Sequence, residues 1–224
     1  MLRKRVWSLI VLAGMFAACQ DSGKKKENET KATESSADTI AQQKNILFFG
    51  TSLTAGYGLD PSEAYPALIQ NRIDSLKLPY KVINAGLSGE TSAAGKGRID
   101  WLLKQRVDIF VLELGSNDGL RGIATTETTK NLQDIIDRVK KKYPDAKLVM
   151  AGMQIPPSMG TQYANDFRNM FPDLAKRNNM VLIPFLLDKV GGVPKLNQAD
   201  GIHPTAEGDK ILAENVWVKL KDLL

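Results

Sequence analysis

The sequence predicts an α/β fold, a three-layer α/β/α sandwich around a central, mostly five-stranded parallel sheet. Short apolar runs alternate with helical patterns over residues 44–224, which is typical of right-handed βαβ units. The run Ile-Phe-Val-Leu at 109–112 is unbroken, as in a strand buried on both faces of a parallel sheet. With 224 residues and 43% hydrophobic content, the chain can bury one sizeable core, so we expect one folded domain.

Five segments are expected to form the strands. Each is a short stretch rich in apolar residues and bounded by residues that favour turns. The stretch 108–114 is the strongest candidate for the central buried strand because its apolar run at 109–112 is unbroken. In chain order the expected strands are residues 46–49, 80–85, 108–114, 147–152 and 180–184.

Helical patterns fill the gaps between these strands. Asp60 and Pro61 offer an N-cap and a first-turn proline for a helix that runs to about Leu76. Pro172 is a potential break within the fourth helical pattern. The remaining expected helices are residues 92–104, 127–142, 162–178 and 206–223, and the positions spaced to face inward in the last one are Ile211, Leu212, Val216 and Leu220.

The N-terminal residues have the pattern of an export signal. A basic segment at 3–5 precedes an apolar run over 6–18, and Cys19 follows two alanines, so residues 1–18 are expected to be a signal peptide. The position of Cys19 resembles a bacterial lipobox, in which the cysteine is lipidated and becomes the mature N-terminus. We therefore expect a lipoprotein of the cell envelope, periplasmic or anchored in the outer membrane. An ordinary signal peptide with a stray cysteine and an uncleaved anchor are the alternatives.

Residues 19–43 are expected to be a flexible linker, because they are polar and charged and contain no aromatic residue. The folded domain then spans residues 44–224. Without the first 18 residues, 27 basic residues stand against 25 acidic ones, and no basic patch with interleaved aromatics remains. We therefore expect no nucleic-acid partner. One cysteine and one histidine leave no cluster of metal ligands, so neither a metal nor a cofactor is expected.

Four clusters of polar residues and glycine punctuate the domain, and three of them directly follow expected strands. In a parallel sheet the carboxyl ends of the strands share one edge, where open α/β sheets bind ligands. Each cluster alone is also explained as a turn or a helix cap. The clusters are Gly50-Thr51-Ser52, Ser88-Gly89-Glu90-Thr91, Gly115-Ser116-Asn117-Asp118-Gly119 and Asp200-Gly201-Ile202-His203-Pro204.

His203 is the only histidine, so any mechanism that needs an imidazole base must use it. Asp200 lies three residues earlier across a glycine and can accept the Nδ1 proton, which leaves Nε2 free to take a proton from the hydroxyl of Ser52. A surface ion pair is the alternative for Asp200 and His203. The G-x-S-x-G elbow is absent because position 54 is threonine, so the ordinary α/β-hydrolase fold is not expected.

At this point the chain resembles the SGNH (GDSL-type) serine hydrolases, in particular the bacterial periplasmic enzymes that act as acyl-CoA thioesterase, arylesterase and lysophospholipase. The resemblance implies the flavodoxin-like SGNH hydrolase fold. The matching segments occur in the family's order and cover nearly the whole domain. They are residues 49–57, 65–68, 84–85, 88–91, 113–122, 171–175 and 200–204.

The resemblance also implies roles for individual residues. Ser52 would be the nucleophile, His203 the general base and then acid, and Asp200 the residue that orients the imidazole. The oxyanion hole would consist of the backbone N–H groups of Ser52 and Gly89 and the side-chain amide of Asn117. Donors of this kind stabilise the charge that develops on the substrate oxygen.

One departure from the family pattern bears on the nucleophile. The family usually has Gly-Asp-Ser-Leu at the nucleophile, and here Thr51 stands in place of the aspartate. That aspartate is not a member of the triad, and its implied role is to support the nucleophile loop. Threonine can make a local hydrogen bond but adds no negative charge. Rate, pH optimum and loop mobility are therefore the properties that this substitution is expected to affect.

An apolar groove for the acyl chain is expected beside the serine. Its predicted residues come from the segments after the third and fourth strands, although a stiff connector with ordinary core methionines also explains the second segment. The function predicted is a serine esterase for carboxylic esters of short to medium acyl chains, with thioesters and lysophospholipids as further substrates. A carbohydrate O-acetylesterase and a non-catalytic lipid- or glycan-binding lipoprotein are the alternatives. The expected groove residues are Leu120, Arg121, Ile155, Pro156 and Pro157.

Overall fold

Five parallel strands form the sheet in a computed structural model that describes residues 43–224, apart from the side chain of Pro157. The strands are β1 (Lys44–Gly50), β2 (Tyr80–Gly86), β3 (Ile109–Glu113), β4 (Lys147–Ala151) and β5 (Val181–Ile183). Their order across the sheet is β2-β1-β3-β4-β5, and every neighbouring pair is parallel. The predicted five-stranded parallel sheet is therefore confirmed.

The two central strands, β1 and β3, are almost entirely buried. Residues 46–50 of β1 and all of β3 are inaccessible to solvent, as expected for strands covered on both faces. The chain leaves β1 toward β2 on one side and returns to β3 on the other. The carboxyl ends of β1 and β3 are therefore the topological switch point, where ligands bind in open α/β sheets.

Helices cover both faces of the sheet and complete the three predicted layers. The third, fifth and sixth helices pack in sequence on one face, and the second and seventh pack together on the other. The helices are α1 (Ser52–Ala55), α2 (Tyr65–Ser75), α3 (Ser92–Leu102), α4 (Ser116–Leu120), α5 (Thr125–Lys142), α6 (Thr161–Asn178) and α7 (Ala206–Leu220). Within residues 43–224, no helix is long and apolar enough to cross a membrane.

The predicted helix start at Asp60-Pro61 is wrong. Asp60 Oδ1 accepts hydrogen bonds from the N–H of Ser62 at 2.9 Å and from its hydroxyl at 2.5 Å, which closes a turn instead. The helix α2 begins at Tyr65, whose N–H donates to Asp209 Oδ2 of α7 at 2.9 Å. A carboxylate 144 residues away thus binds the start of α2, and a local sequence pattern cannot reveal such a contact.

Pro172 does not interrupt α6, which continues through it from Thr161 to Asn178. A proline inside a helix costs about 3 kcal/mol because it removes a hydrogen bond and crowds the preceding turn. Phe167, Phe171 and Leu174 of the same helix are fully buried, and each such side chain contributes roughly 1.5–3 kcal/mol. The tertiary packing therefore outweighs the local cost.

The short helices α1 and α4 are absent from the sequence prediction. They have four and five residues, which is too short for a helical period to appear in the sequence. Each begins within one of the glycine clusters at the end of a strand. The predicted signal peptide (1–18), the lipidated Cys19 and the linker up to residue 42 lie outside the residues that the structure describes.

Candidate active site

Ser52 begins α1 immediately beyond the end of β1, at the topological switch point. The turn before it requires glycine, because Gly50 pairs with Gly86 on one side and with Glu113 on the other. A Cβ atom at position 50 would overlap the Thr54 hydroxyl and would lie 2.5 Å from Glu113 Oε2. The absence of a side chain at Gly50 therefore lets β1 turn sharply and present Ser52 at the edge of the sheet.

Ser52, His203 and Asp200 form a continuous hydrogen-bonded chain. His203 Nε2 is 2.9 Å from Ser52 Oγ, and His203 Nδ1 is 2.6 Å from Asp200 Oδ2. The other carboxylate oxygen of Asp200 accepts the N–H groups of Ile202 at 2.9 Å and His203 at 3.0 Å. The hydrogen bonds from the His203 ring and then from these backbone groups lower the pKa of Asp200 to about 2. Asp200 is thus an acceptor that fixes the ring with Nδ1 protonated.

The chain from Gly201 to Pro204 is held in place by its own short connections. Gly201 has a φ of 70°, a left-handed conformation that lets the backbone bend so that Asp200 reaches the imidazole. The carbonyl of His203 accepts the N–H of Gln198 at 2.7 Å, and Asn197 pairs with Pro204 in an antiparallel bridge. These contacts fix the histidine on a loop between β5 and α7.

The Tyr57 ring packs on the imidazole of His203, a contact that the sequence analysis did not anticipate. The two ring centroids are 4.5 Å apart, and the planes are tilted by 40°. Gln198 Nε2 donates to the carbonyl of Tyr57 at 2.7 Å and to that of Pro204 at 2.8 Å, so it links the two loops. Tyr57 lies in the segment 49–57, which resembles the SGNH hydrolases, and this resemblance was the sequence signal that could have placed it at the site.

Three groups at the carboxyl edge of the sheet have a hydrogen available for donation, and two of them belong to residues that line the cavity, Ser52 and Asn117. Among the described residues, the N–H groups of Ser52 and Gly89 have no hydrogen-bond acceptor. Gly89 has a φ of 79°, which turns its peptide in a way that other residues rarely adopt. Asn117 Nδ2 donates one hydrogen to the carbonyl of Glu90 at 3.0 Å, which leaves its second hydrogen for another acceptor.

The loops that carry Gly89 and Asn117 are tied to each other by buried polar contacts. Asp118, which is 1% exposed, accepts the N–H of Ser92 at 2.8 Å and the Ser92 hydroxyl at 2.5 Å. Arg121 also reaches the first loop, because its Nη2 donates to the carbonyl of Gly89 at 3.1 Å. The relative position of the donor groups is therefore set by contacts between two helix starts, rather than by either loop alone.

The buried Glu90 side chain anchors the same region. It accepts two hydrogen bonds from Arg98, at 2.7 Å from Nε and 2.5 Å from Nη2, and Arg98 also binds the carbonyl of Ala85 at 2.8 Å. A paired, forked contact of this kind holds both partners in one geometry. It fixes the backbone of Glu90, which is the acceptor for Asn117.

A cavity of about 570 Å³ opens beside Ser52 and His203 and has a mainly apolar lining. Three expected groove residues line it, namely Leu120, Ile155 and Pro156. Arg121 does not line it, since its guanidinium points to Gly89, and the side chain of Pro157 lies outside the described part of the chain. The lining residues beyond those expected include Leu53, Met153, Phe185 and Leu187.

The segment with Phe185 and Leu187 was missed, although it directly follows β5. Its position after a strand was the only signal, because these residues have no polar pattern. Among residues 43–224, no three His, Cys, Asp or Glu side chains are grouped as metal ligands. The polar side chains that line the cavity are those of Ser52, Asn117 and His203, together with Ser116, Gln154 and Asn197.

Glu113 is a further residue that the sequence analysis did not single out. It ends β3, is fully buried, and accepts hydrogen bonds from Thr51 and Thr54 on either side of Ser52. Burial raises the pKa of Glu113 to about 7, although the bonds from the two threonines oppose this shift. Burial likewise raises the pKa of Asp209 to about 7, although the hydrogen bond from the N–H of Tyr65 opposes this shift.

These two carboxyl groups predict that the protein becomes less stable as the pH rises. Both have a higher pKa in the folded chain than their ordinary values of 4.5 and 3.8, so the folded state binds more protons between those values and about 7. The free energy of unfolding is therefore expected to fall from pH 5 to pH 8, by on the order of 2–3 kcal/mol per group. The lowered pKa of Asp200 adds stability that is lost only as the pH falls from about 3.8 toward 2, so it does not change the stability between pH 5 and pH 8.

Urea unfolding of the protein at pH 5 and at pH 8 measures this difference. The difference is expected to shrink in Glu113→Gln and in Asp209→Asn. A free energy of unfolding that rises between pH 5 and pH 8 would contradict the expectation.

Comparison with known proteins places the chain in a family. The profile of the GDSL-like lipase/acylhydrolase family matches residues 48–211. Esterase TesA of Pseudomonas aeruginosa is 40% identical over 185 residues, which cover 82% of this chain and 91% of TesA. Thioesterase 1/protease 1/lysophospholipase L1 of Escherichia coli is 36% identical over 185 residues, which cover 82% of this chain and 86% of that protein.

The fold agrees with this assignment. The crystal structure of AlinE4, an SGNH-hydrolase family esterase, aligns with a TM-score of 0.68 at 36% identity and covers 83% of this chain and 99% of that one. The family profile spans the strand before Ser52, all the donor loops and the histidine loop. The chain belongs to the GDSL-like lipase/acylhydrolase family.

Proposed function

We propose that the chain, a carboxylic ester hydrolase, cleaves esters of short to medium acyl chains through an acyl-serine intermediate on Ser52. The observation that supports this most directly is the unbroken chain from Asp200 through His203 to Ser52 Oγ at the mouth of an apolar cavity. An imidazole with Nδ1 bound to a carboxylate has Nε2 free to take the serine proton.

The proposed reaction has two halves. Ser52 Oγ attacks the carbonyl carbon while its proton passes to His203 Nε2, and the resulting imidazolium is stabilised by Asp200. The imidazolium then gives that proton to the departing alcohol or thiol as the bond to the acyl carbon breaks. A water molecule then attacks the acyl carbon while its proton passes to His203 Nε2. The bond from that carbon to Ser52 Oγ breaks, the imidazolium returns the proton to Oγ, and the acid is released.

The negative charge of each tetrahedral intermediate would be stabilised by three donors. These are the N–H groups of Ser52 and Gly89, which have no acceptor among the described residues, and the second hydrogen of Asn117 Nδ2. Donors held in place before the reaction do not have to reorganise as the charge forms. Their positions are supported by the contacts of Asp118 and Arg121 with the Gly89 loop.

The acyl chain would occupy the apolar cavity. Leu120, Ile155 and Pro156 supply part of its lining, and each methylene that leaves water there contributes about 0.8 kcal/mol. Esters and thioesters would use the same residues, because both present a carbonyl carbon to the serine. Thioesters and lysophospholipids are therefore proposed as further substrates, in keeping with the names of the relatives.

A chain-length series tests this proposal. The full-length protein is assayed with aryl esters of acetate, butyrate, octanoate and palmitate, and with an acyl thioester and a lysophospholipid. We expect rates to rise with chain length only as far as the apolar cavity extends, and to be highest for short or medium chains. Absence of hydrolysis with every substrate, or activity confined to acetylated sugars, would contradict the proposal.

We infer that the protein is an envelope lipoprotein attached through Cys19. The support is the sequence pattern of basic, apolar and small residues before that cysteine. Labelling of cells with radioactive palmitate is expected to mark the wild-type protein but not Cys19→Ser. Equal labelling of both would contradict this inference.

A further inference from the structure

Glu113 is a buried carboxylate beside the turn that carries Ser52. Its Oε2 accepts the N–H of Thr51 at 2.8 Å and the Thr54 hydroxyl at 2.8 Å. The Thr51 hydroxyl lies 3.0 Å from Oε1 and 3.1 Å from Oε2. Among the described residues, no lysine, arginine or histidine forms a salt bridge with Glu113, so its only hydrogen-bond donors are neutral groups.

These bonds hold the nucleophile turn from both sides. Thr51 precedes Ser52 and Thr54 follows it by two residues, so one carboxylate fixes the backbone before the serine and a side chain after it. Thr51 is also the N-cap of α1, but its hydroxyl does not cap that helix. A threonine at an N-cap ordinarily binds a helix N–H, and here its hydroxyl points to Glu113 instead.

The surroundings of Glu113 extend this network but bring no compensating positive charge. Thr54 Oγ1 is 2.8 Å from the hydroxyl of Tyr65 on α2, which is fully buried. Because Thr54 donates its only hydrogen to Glu113, Tyr65 must donate to Thr54. Burial and then the charge of Glu113 raise the pKa of Tyr65. The other ionisable groups nearby are Asp209, which binds the N–H of Tyr65, and His203, which contacts Ser52.

We propose that Glu113 is a positioning residue for catalysis, which in its charged form holds Thr51 and Thr54 so that Ser52 meets His203 and presents its N–H to the substrate. The inference rests on the proposed role of Ser52 as nucleophile. An anion that accepts three donors fixes their geometry more strongly than a neutral group can, because charge-assisted hydrogen bonds are about twice as strong as neutral ones. Thr51 suits this arrangement since its hydroxyl donates, whereas a second carboxylate there would repel Glu113.

The proposal predicts a loss of activity in Glu113→Gln that depends on pH. The amide has the same shape but no charge, so it resembles the protonated form of the wild-type carboxyl group, whose pKa is about 7. At pH 8 we expect kcat of full-length Glu113→Gln to be about 10- to 100-fold below wild type with little change in KM, as for a misplaced nucleophile. At pH 5.5 the kcat of Glu113→Gln is expected to lie within about 3-fold of the wild-type kcat, since the wild-type carboxyl group is then mostly protonated.

Asp209→Asn is the matched control. Asp209 is also a buried carboxylate with a pKa raised to about 7 and a bond to a backbone N–H, but that N–H belongs to Tyr65 and not to the nucleophile turn. We expect this variant to lose stability and to keep its kcat ratio to wild type constant between pH 5.5 and pH 8. Taking the ratio at each pH removes the effects of pH that the wild-type protein and the variants share.

Two conservative changes at Thr51 test the same contact without altering Glu113. Thr51→Ser keeps the hydroxyl and is expected to stay within about 3-fold of the wild-type kcat, whereas Thr51→Val is expected to lose about 10-fold, as for a hydrogen bond to a charged group. Equal kcat values in these two variants would contradict the proposal. So would a Glu113→Gln ratio that is the same at both pH values.

Ser52→Ala separates this inference from the proposed function. Hydrolysis that persists in Ser52→Ala contradicts both. Hydrolysis that is lost in Ser52→Ala but unchanged in Glu113→Gln contradicts the positioning role alone.

Discussion

Replacing Ser52 with alanine is expected to lower kcat for an aryl butyrate by about 10⁴- to 10⁶-fold, because the change removes the only group that can form the acyl intermediate. The hydroxyl lies 2.9 Å from His203 Nε2, so alanine also leaves the imidazole without a proton to accept. The fold should persist, since a hydroxyl at the edge of a cavity is replaced by a methyl group. The measurement compares the initial rates of the wild-type protein and the variant, and circular dichroism compares their folds.

Ser62→Ala is a suitable control for this prediction. Ser62 lies ten residues further along the same connection and does not line the cavity, and within residues 43–224 its hydroxyl forms a hydrogen bond only to Asp60. The control is expected to retain the wild-type rate. A folded Ser52→Ala protein that hydrolyses the ester within 10-fold of wild type would rule out the acyl-serine mechanism.

Replacing Asn117 with alanine is expected to lower kcat by about 10²- to 10³-fold with little change in KM. The amide hydrogen that is free in the structure would bind the oxygen of the substrate most strongly when that oxygen becomes an anion, so its loss weakens the transition state more than substrate binding. Steady-state kinetics with one aryl ester separate the two parameters.

The amide hydrogen of Asn117 that is already bonded in the structure provides an internal check on this prediction. It donates to the carbonyl of Glu90, whose side chain is independently held by Arg98. The Gly89 loop should therefore keep its position in the alanine variant. Asn165→Ala on the exposed side of α6 is the control for an asparagine outside the site. A rise in KM with unchanged kcat would mean that Asn117 only binds substrate.

The architecture was predictable because its signals are local. The runs 46–49 in β1 and 109–112 in β3 are wholly apolar, and the helical stretches between the strands have one apolar face. The glycine clusters follow the strands, so their meeting at one edge follows from the parallel arrangement. For Ser52, Asp200 and His203, the single histidine left few alternatives, and the structure brings the three side chains together.

Other features depend on contacts that no local pattern contains. Asp60-Pro61 has the sequence of a helix start, yet the chain forms a turn there and Asp209 binds the start of α2 instead. Glu113 has an ordinary position at the end of a strand, and only its register opposite Gly50 places it beside Thr51. The stacking of Tyr57 on His203 likewise joins loops that are distant in sequence.

Covalent labelling shows whether Ser52 is the nucleophile. The full-length protein is treated with a fluorophosphonate, digested, and examined by mass spectrometry in parallel with Ser52→Ala. We expect a single phosphonylated residue, Ser52, in the wild-type protein and no adduct in the variant. Hydrolysis by the wild-type protein is expected to fall in proportion to the labelling. An adduct on a different residue, or full hydrolysis by protein that carries the label on Ser52, would contradict this expectation.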